Sequence, residues 1–235
     1  NNKKFFRRTW ETDFSVYETR LKKIGFVNKA SVIDIGGGYG QWAVVLAKLN
    51  SQVTLIEYDS EKIRVLNLIK DILQLKNLNI VNSSANTFKY SSIYYDAIFT
   101  YSMLYFTNWK VVLADAISNM SQDGIIYLNT NDIGWYLYNF IKNPNPAKDF
   151  SPRKMAIKTL AKFILGDEKT PNCFQDGQII MPVKSTLNFL KSKGISNISN
   201  GPDGSCGDSS IDVQSFFINK FFCYSAVYEV LGYKL

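Results

Sequence analysis

Histidine is absent from this 235-residue sequence, and cysteine occurs only three times. The first absence removes the usual general base and the commonest metal ligand. Cys173, Cys206 and Cys223 stand far apart with no CxxC spacing, so a zinc site would lack soft ligands and no metal is expected. An odd cysteine count without close pairing fits a reducing compartment, and a cytoplasmic location is the default. Long apolar runs are lacking too. Trp42 to Ala47 is typical of the longest, far short of the roughly 20 residues of a membrane span. No signal peptide, internal repeat or low-complexity tract is visible.

The formal charge of +7 divides into +5 over residues 1–30, −2 over 31–135 and +4 over 136–235. Basic flanks suit an anionic acceptor, although an excess of this size is common among ordinary soluble proteins.

Apolar residues Trp10, Phe14, Tyr17, Leu21 and Ile24 repeat at helical spacing, which predicts one amphipathic helix stopped by Gly25. Beyond it, strands are expected over 31–35, 52–57, 77–81, 96–101 and 124–129. Helices are expected over 40–49, after the Asp59-Ser60 cap signal, and over 109–120. The turn Gln122-Asp123-Gly124 opens the fifth strand. Strands alternating with helices imply a parallel sheet covered on both faces. From 131 to 181 the alternation lapses into an aromatic stretch, a Pro-containing loop and a helix capped by Ser151 with Pro152 at its first position. That segment reads as an inserted cover. A helix over 182–193, a strand over 195–198, a Gly/Ser/Asp-rich loop over 200–210 and a final strand over 221–230 complete the chain. The organisation predicted is one domain over 1–235 with an N-terminal helical extension, 1–30.

The chemistry-bearing motif is Val32 to Gly40, VIDIGGGYG, in which Gly36, Gly37, Gly38 and Gly40 follow a buried strand. Such a turn lets backbone approach a ligand without Cβ atoms in the way. A dinucleotide fingerprint starting at Gly36 would need glycine at position 41, where Gln41 stands, and the GK[ST] ending of a P-loop is missing. Glu57 closes the second strand, where a carboxylate can accept both hydroxyl hydrogens of a ribose. A dehydrogenase would also place an acid there, so Glu57 by itself indicates a nucleoside.

The motif resembles the first motif of the class I S-adenosylmethionine-dependent methyltransferases: a hydrophobic pair, Asp34, any residue, then GxGxG. The likeness extends over most of the chain. It implies an α/β, Rossmann-like sheet of seven mostly parallel strands with helices on both faces, an N-terminal helix and a helical insertion after the fifth strand. It implies S-adenosyl-L-methionine as cofactor and S-adenosyl-L-homocysteine as product. By the same likeness Gly36, Gly38, Gly40 and Asp34 would face the methionine part, with Gly37 within the turn, and Glu57 and Tyr58 would meet the ribose end. Where such enzymes carry an acidic residue and a small one for adenine, this sequence has Ser84-Ala85, with Asn86 nearby. Tyr101, at the end of the fourth strand, would lie where cofactor and acceptor meet.

Neither a [DN]PP[YF] motif nor a Pro-Cys nucleophile is present, Pro171-Asn172-Cys173 having the wrong spacing, which argues against methylation of DNA bases. A base, if one is needed, would come from Tyr101, Asp132, Asp13 or Glu11. Trp10, Tyr17, Trp135 and Tyr136, with Tyr138, are candidates for an aromatic box around the acceptor, although aromatics at helical spacing more often form core. Lys154, Lys158 and Lys162 make a cationic stripe that most simply is a solvated face. The leading expectation is methyl transfer to N or O of a small molecule, such as an anionic or phosphorylated metabolite or a sugar. Protein or RNA methylation, although no RNA-binding signature is present, and a non-catalytic cofactor-binding subunit are the alternatives.

Overall fold

Apolar runs buried on both faces generate most strands of a seven-stranded sheet in the computed structural model, which describes residues 2–90, 94–147 and 150–235, with side chains from Phe6 onward. The strands are β1 (Ser31–Ile35), β2 (Gln52–Glu57), β3 (Leu78–Asn82), β4 (Tyr95–Tyr101), β5 (Met120–Asn131), β6 (Ile195–Pro202) and, after the short pair β7 (Lys220–Phe221) and β8 (Tyr224–Ser225), β9 (Val227–Lys234). They lie in the order β3-β2-β1-β4-β5-β9-β6. The first five run parallel, and β9 pairs antiparallel with both β5 and β6.

Alternation along each strand sends side chains to two cores. Val32, Leu55, Phe99 and Tyr127 face one, closed by α2 (Phe14–Lys23) and α3 (Gln41–Leu49). Ile33, Ile56, Ile98 and Ile126 face the other, closed by α5 (Trp109–Ser118) and α8 (Val183–Ser192). Between β2 and β3 runs α4 (Ser60–Ile72), with the Asp59 carboxylate accepting from Glu61 N at 3.0 Å as its N-cap. The fold class, the early strands and the place of the insertion follow the sequence expectation.

Three elements differ from it. The N-terminal helix is two helices, α1 (Asn2–Glu11) and α2, because the Asp13 carboxylate takes the amide of Ser15 at 2.9 Å and starts a new helix. The turn at 122–124 does not open β5. The strand already starts at Met120 and absorbs the irregularity as a register shift with Asp123 at φ +59°. The final strand begins at Val227, not near 221, because Phe221 and Tyr224 pair across a tight hairpin whose Phe222 sits at φ +52°.

The inserted segment folds as α6 (Ile133–Lys142) and α7 (Pro152–Leu165), which share a small core of Tyr136, Ala156 and Ile180. Two lysines of the predicted cationic stripe are paired within this cover, Lys158 with Asp176 at 2.6 Å and Lys162 with Asp167 at 3.4 Å. Among the described residues, no helix is long and apolar enough to cross a membrane.

Candidate functional site

At the carboxyl ends of β1 and β2 the chain turns through the glycines. Gly36 N and Gly37 N donate to Ile56 O at 2.9 and 3.2 Å, which ties the turn to β2. Gly38, at φ +57°, has no atom within 4 Å of where a Cβ would stand, and that open space belongs to the cleft. Gly40, at φ +83°, caps α3, and a Cβ there would collide with Leu66. Glycine is therefore required at Gly40 for closeness to α4, and it keeps the surface at Gly38 bare backbone.

Glu57 is buried under this turn. Its Oε2 accepts from Gly38 N at 2.9 Å, and its Oε1 from the amides of Tyr58 and Asp59, each at 3.0 Å. A carboxylate offers about four lone-pair sites. Three amides leave about one for a ligand, so the bidentate ribose grip expected from sequence narrows to a single contact, and Glu57 doubles as the clamp on the glycine turn. Lys62 Nζ, 3.8 Å from Oε1, balances the charge.

Asp34 lies beside it, 2% exposed, and its Oδ2 is buried with no hydrogen-bond partner. Burial first, and then the charge of Glu57, pushes its carboxyl up to about 8. A buried acceptor without a donor is costly. An ammonium donor reaching the cleft would satisfy it, and the methionine part of S-adenosylmethionine carries one. The bare turn at Gly38, the orphaned Asp34 oxygen and the remaining site on Glu57 therefore fit that cofactor.

The cleft holding these groups has a volume of about 880 Å³, toward the upper end of the roughly 300–1,000 Å³ typical of small-molecule pockets. Gly36, Gly37, Tyr58, Ser84, Ala85, Tyr101 and Tyr17 line it, whereas Gly40 does not. Asn86 lines it as well, but its side-chain oxygen already accepts from Asn108 N at 2.9 Å.

The candidate bases are scattered. Tyr101 reaches the cleft, but its hydroxyl donates to Asp203 Oδ1 at 2.9 Å, and burial together with that carboxylate raises its pKa well above the ordinary phenol value. It acts as a donor at neutral pH. Asp132 caps α6, accepting from Ile133 N at 2.6 Å and Val183 N at 3.3 Å, and is absent from the lining. Asp13 caps α2, and Glu11 pairs with Arg7 at 3.5 Å on an exposed face. The structure does not bring these three to the cofactor cleft.

Of the aromatic candidates, Tyr17 alone lines the cleft. Trp10 packs on Phe14 at 5.2 Å between ring centroids. Tyr136 is fully buried in the cover, with its hydroxyl on Gln178 Oε1 at 3.1 Å. Trp135 stands edge-on to Phe217 at 5.8 Å and backs the lining rather than forming it. Sequence reasoning passed over Thr9, Thr12, Phe216 and Phe217 in the lining. The Phe216-Phe217 doublet was a visible signal, since two adjacent large apolar residues in a polar loop need a surface to meet.

Behind the lining lies a buried ionic network that no local pattern announces. Arg20 pairs with Asp203 at 2.5 Å and with Glu229 at 3.4 Å, all three side chains being almost fully buried. Asp203 Oδ1 also accepts from Asn129 Nδ2 at 2.9 Å, and Asn129 Oδ1 takes the hydroxyl of Ser102 at 2.8 Å. Ser102, which lines the cleft just after β4, is held at φ +55°, a conformation that costs energy outside glycine.

Residues 12–120 match the family model described as GidB, rRNA small subunit methyltransferase G. Ribosomal RNA small subunit methyltransferase G of Pseudomonas fluorescens (strain Pf0-1) is 34% identical over 101 residues, covering 41% of this chain and 47% of that protein. The chain thus matches about half the length of that curated relative. Among solved structures, the plantazolicin methyltransferase BpumL, in complex with a pentazolic desmethylPZN analog and SAH, aligns with all of this chain and 90% of its own, at a TM-score of 0.62 and 14% identity. A SAM dependent methyltransferase from Aquifex aeolicus aligns over 93% of this chain and 89% of its own, at a TM-score of 0.57 and 13% identity. At such identities the structural matches speak for the fold.

Proposed function

We propose that the chain is a class I S-adenosylmethionine-dependent methyltransferase, with S-adenosylmethionine as cofactor, and that it methylates a nitrogen or oxygen of a small molecule. The cofactor supplies a methyl group on cationic sulfur, which transfers to a lone pair held in line at near contact. Asp34 and the turn at Gly38 hold its amino-acid end, Glu57 its ribose, and Ser84 to Asn86 the base.

One observation carries the small-molecule reading. The cleft is lined by Thr9 and Thr12 at the end of α1 and by Phe216 and Phe217, and its volume of about 880 Å³ leaves room for a compact acceptor beside the cofactor. The cleft's own acids, Asp34 and Glu57, are committed to the cofactor end, and Tyr101 is a donor. An acceptor atom that already carries a free lone pair, such as a neutral nitrogen or a carboxylate oxygen, suits that wall better than an aliphatic hydroxyl needing a base.

RNA is the second reading, favoured by the match over residues 12–120 and by what that relative is named for. The cover and the Phe216–Phe217 wall lie outside the matched residues. Incubating the protein with methyl-labelled S-adenosylmethionine and either a low-mass metabolite extract or purified small ribosomal subunits separates the two. Label in the metabolites is the expected result, and label confined to RNA replaces the small-molecule reading.

A further inference from the structure

Phe216 and Phe217 belong to the segment between β6 and β7, far in sequence from the glycine turn, yet both line the cofactor cleft and both are half-buried. Their surroundings are specific. Phe216 packs against Tyr17 at 5.9 Å and against Trp42, the second residue of α3, at 6.4 Å. The Arg20 guanidinium lies 4.7 Å from its ring centre. Phe217 stands between Tyr101 at 6.2 Å and the edge of Trp135 at 5.8 Å.

The wall is anchored as well as packed. Asp203 Oδ2 accepts the backbone amide of Phe216 at 2.6 Å, while Oδ1 of the same carboxylate accepts from Tyr101 and Asn129, both at 2.9 Å. Arg20 closes the set from α2, one nitrogen on each oxygen. A single buried carboxylate thereby fixes the Phe216 backbone and the Tyr101 ring relative to one another. Two loop phenylalanines in a solvent-facing cleft ordinarily collapse onto each other or onto the core. Here they are braced from behind with part of each ring left facing the cleft.

Sheet order says which ligand they meet. The nucleoside end is built by residues following β2 and β3, Glu57 and Ser84 to Asn86, on one side of the β1/β4 switch point. Phe217 rests on Tyr101 of β4 and on Trp135 of α6, which follows β5, on the other side. In open α/β sheets ligands bind in the crevice at that switch point, and with the nucleoside on one side the other side is open to a second ligand. The aromatic wall therefore belongs to the acceptor.

We propose that Phe216 and Phe217 are the acceptor-recognising residues and that they take a flat aromatic ring, held against the wall that Asp203 braces. The proposal rests on the small-molecule reading and narrows its substrate class. A planar ring can stack on a phenylalanine or stand edge-on to it, the geometries aromatic pairs favour, whereas a puckered ring of the same size does neither well.

The test uses two anions of matched skeleton and charge, 2-naphthoate and decahydro-2-naphthoate, titrated by calorimetry into protein saturated with S-adenosylhomocysteine. The planar probe is expected to bind at least tenfold more tightly. Phe216→Leu and Phe217→Leu are each expected to cut that preference below threefold while leaving the affinity for S-adenosylhomocysteine unchanged. Equal binding of the two probes to the wild-type protein, absence of binding by either, or a preference that survives both substitutions overturns the proposal. The wild-type comparison stands even if a variant does not fold. Failure of S-adenosylhomocysteine itself to bind would instead overturn the methyltransferase reading from which the proposal starts.

Discussion

At the glycine turn the ligand-facing surface is mostly backbone, shaped by residues 34–40 and locked by the Glu57 carboxylate. At the Phe216–Phe217 wall it is side chain, and its geometry depends on Arg20, Tyr101, Asn129, Asp203 and Glu229, which come from five separate stretches of sequence. The first kind of surface tolerates change around it as long as the turn survives. The second concentrates its dependence in one buried ionic cluster. Enzymes that share a cofactor and differ in acceptor need this division, because one end must stay constant while the other diverges.

The sharpest way to break the comparison is Asp203→Ala. Arg20 would be left buried without its main partner, at a cost of about 3–5 kcal/mol, read as a fall in the urea midpoint. Below the midpoint the affinity for S-adenosylhomocysteine is expected to stay within threefold of wild type. A parallel loss of both would show that the two ends are one unit.

Glu57→Ala should do the reverse. Releasing the amides of Gly38, Tyr58 and Asp59 is expected to weaken cofactor binding at least tenfold, about 1.4 kcal/mol, with a smaller loss of stability than Asp203→Ala. Calorimetry with S-adenosylhomocysteine measures it, and unchanged affinity would remove Glu57 from the site.

A third effect is a pH dependence carried by Asp34. Its carboxyl stands at about 8 in the ligand-free fold, against about 3.9 in an unfolded chain. The folded state thus keeps a proton that the unfolded state has released. This group's contribution to stability is full below about pH 4 and is lost as the pH rises through about 8. A ligand ammonium favours the ionised carboxylate, so binding of S-adenosylhomocysteine should release a proton. Affinity is then expected to rise from pH 6 to pH 8 and level off above. The binding heat should vary with the ionisation enthalpy of the buffer, and Asp34→Asn should flatten both profiles. A flat wild-type profile would detach Asp34 from the ligand.

The same division explains what was legible in the sequence. Val32 to Gly40 is contiguous, and the requirement for glycine at Gly40 is a local matter of φ and close approach, so the turn itself could be read directly. The parallel strands could be read for a related reason, since runs buried on both faces leave a continuous apolar signature. Trp10, Trp135 and Tyr136 were aromatic and near the right elements, but composition cannot tell a side chain that forms a wall from one that supports it. Asp203 sat in a Gly/Ser/Asp-rich stretch with the composition of an exposed loop. Only its long-range pairing with Arg20 and Glu229 takes it inside. The break between α1 and α2 was missed because the apolar spacing continues through it while the Asp13 side chain, a local competitor for backbone amides, interrupts the helix.

The antiparallel β9 is inserted between β5 and β6 rather than added at an edge. During synthesis β1 to β5 can pair as they emerge, whereas β6 has no neighbour in the sheet until β9 arrives. Glu229, which receives Tyr127, Gly204 and Cys206, arrives on that same strand. The nascent chain can therefore shape the glycine turn well before it can shape the Phe216–Phe217 wall. The interval between the two events, from Asp59 to Glu229, is the translation of about 170 residues.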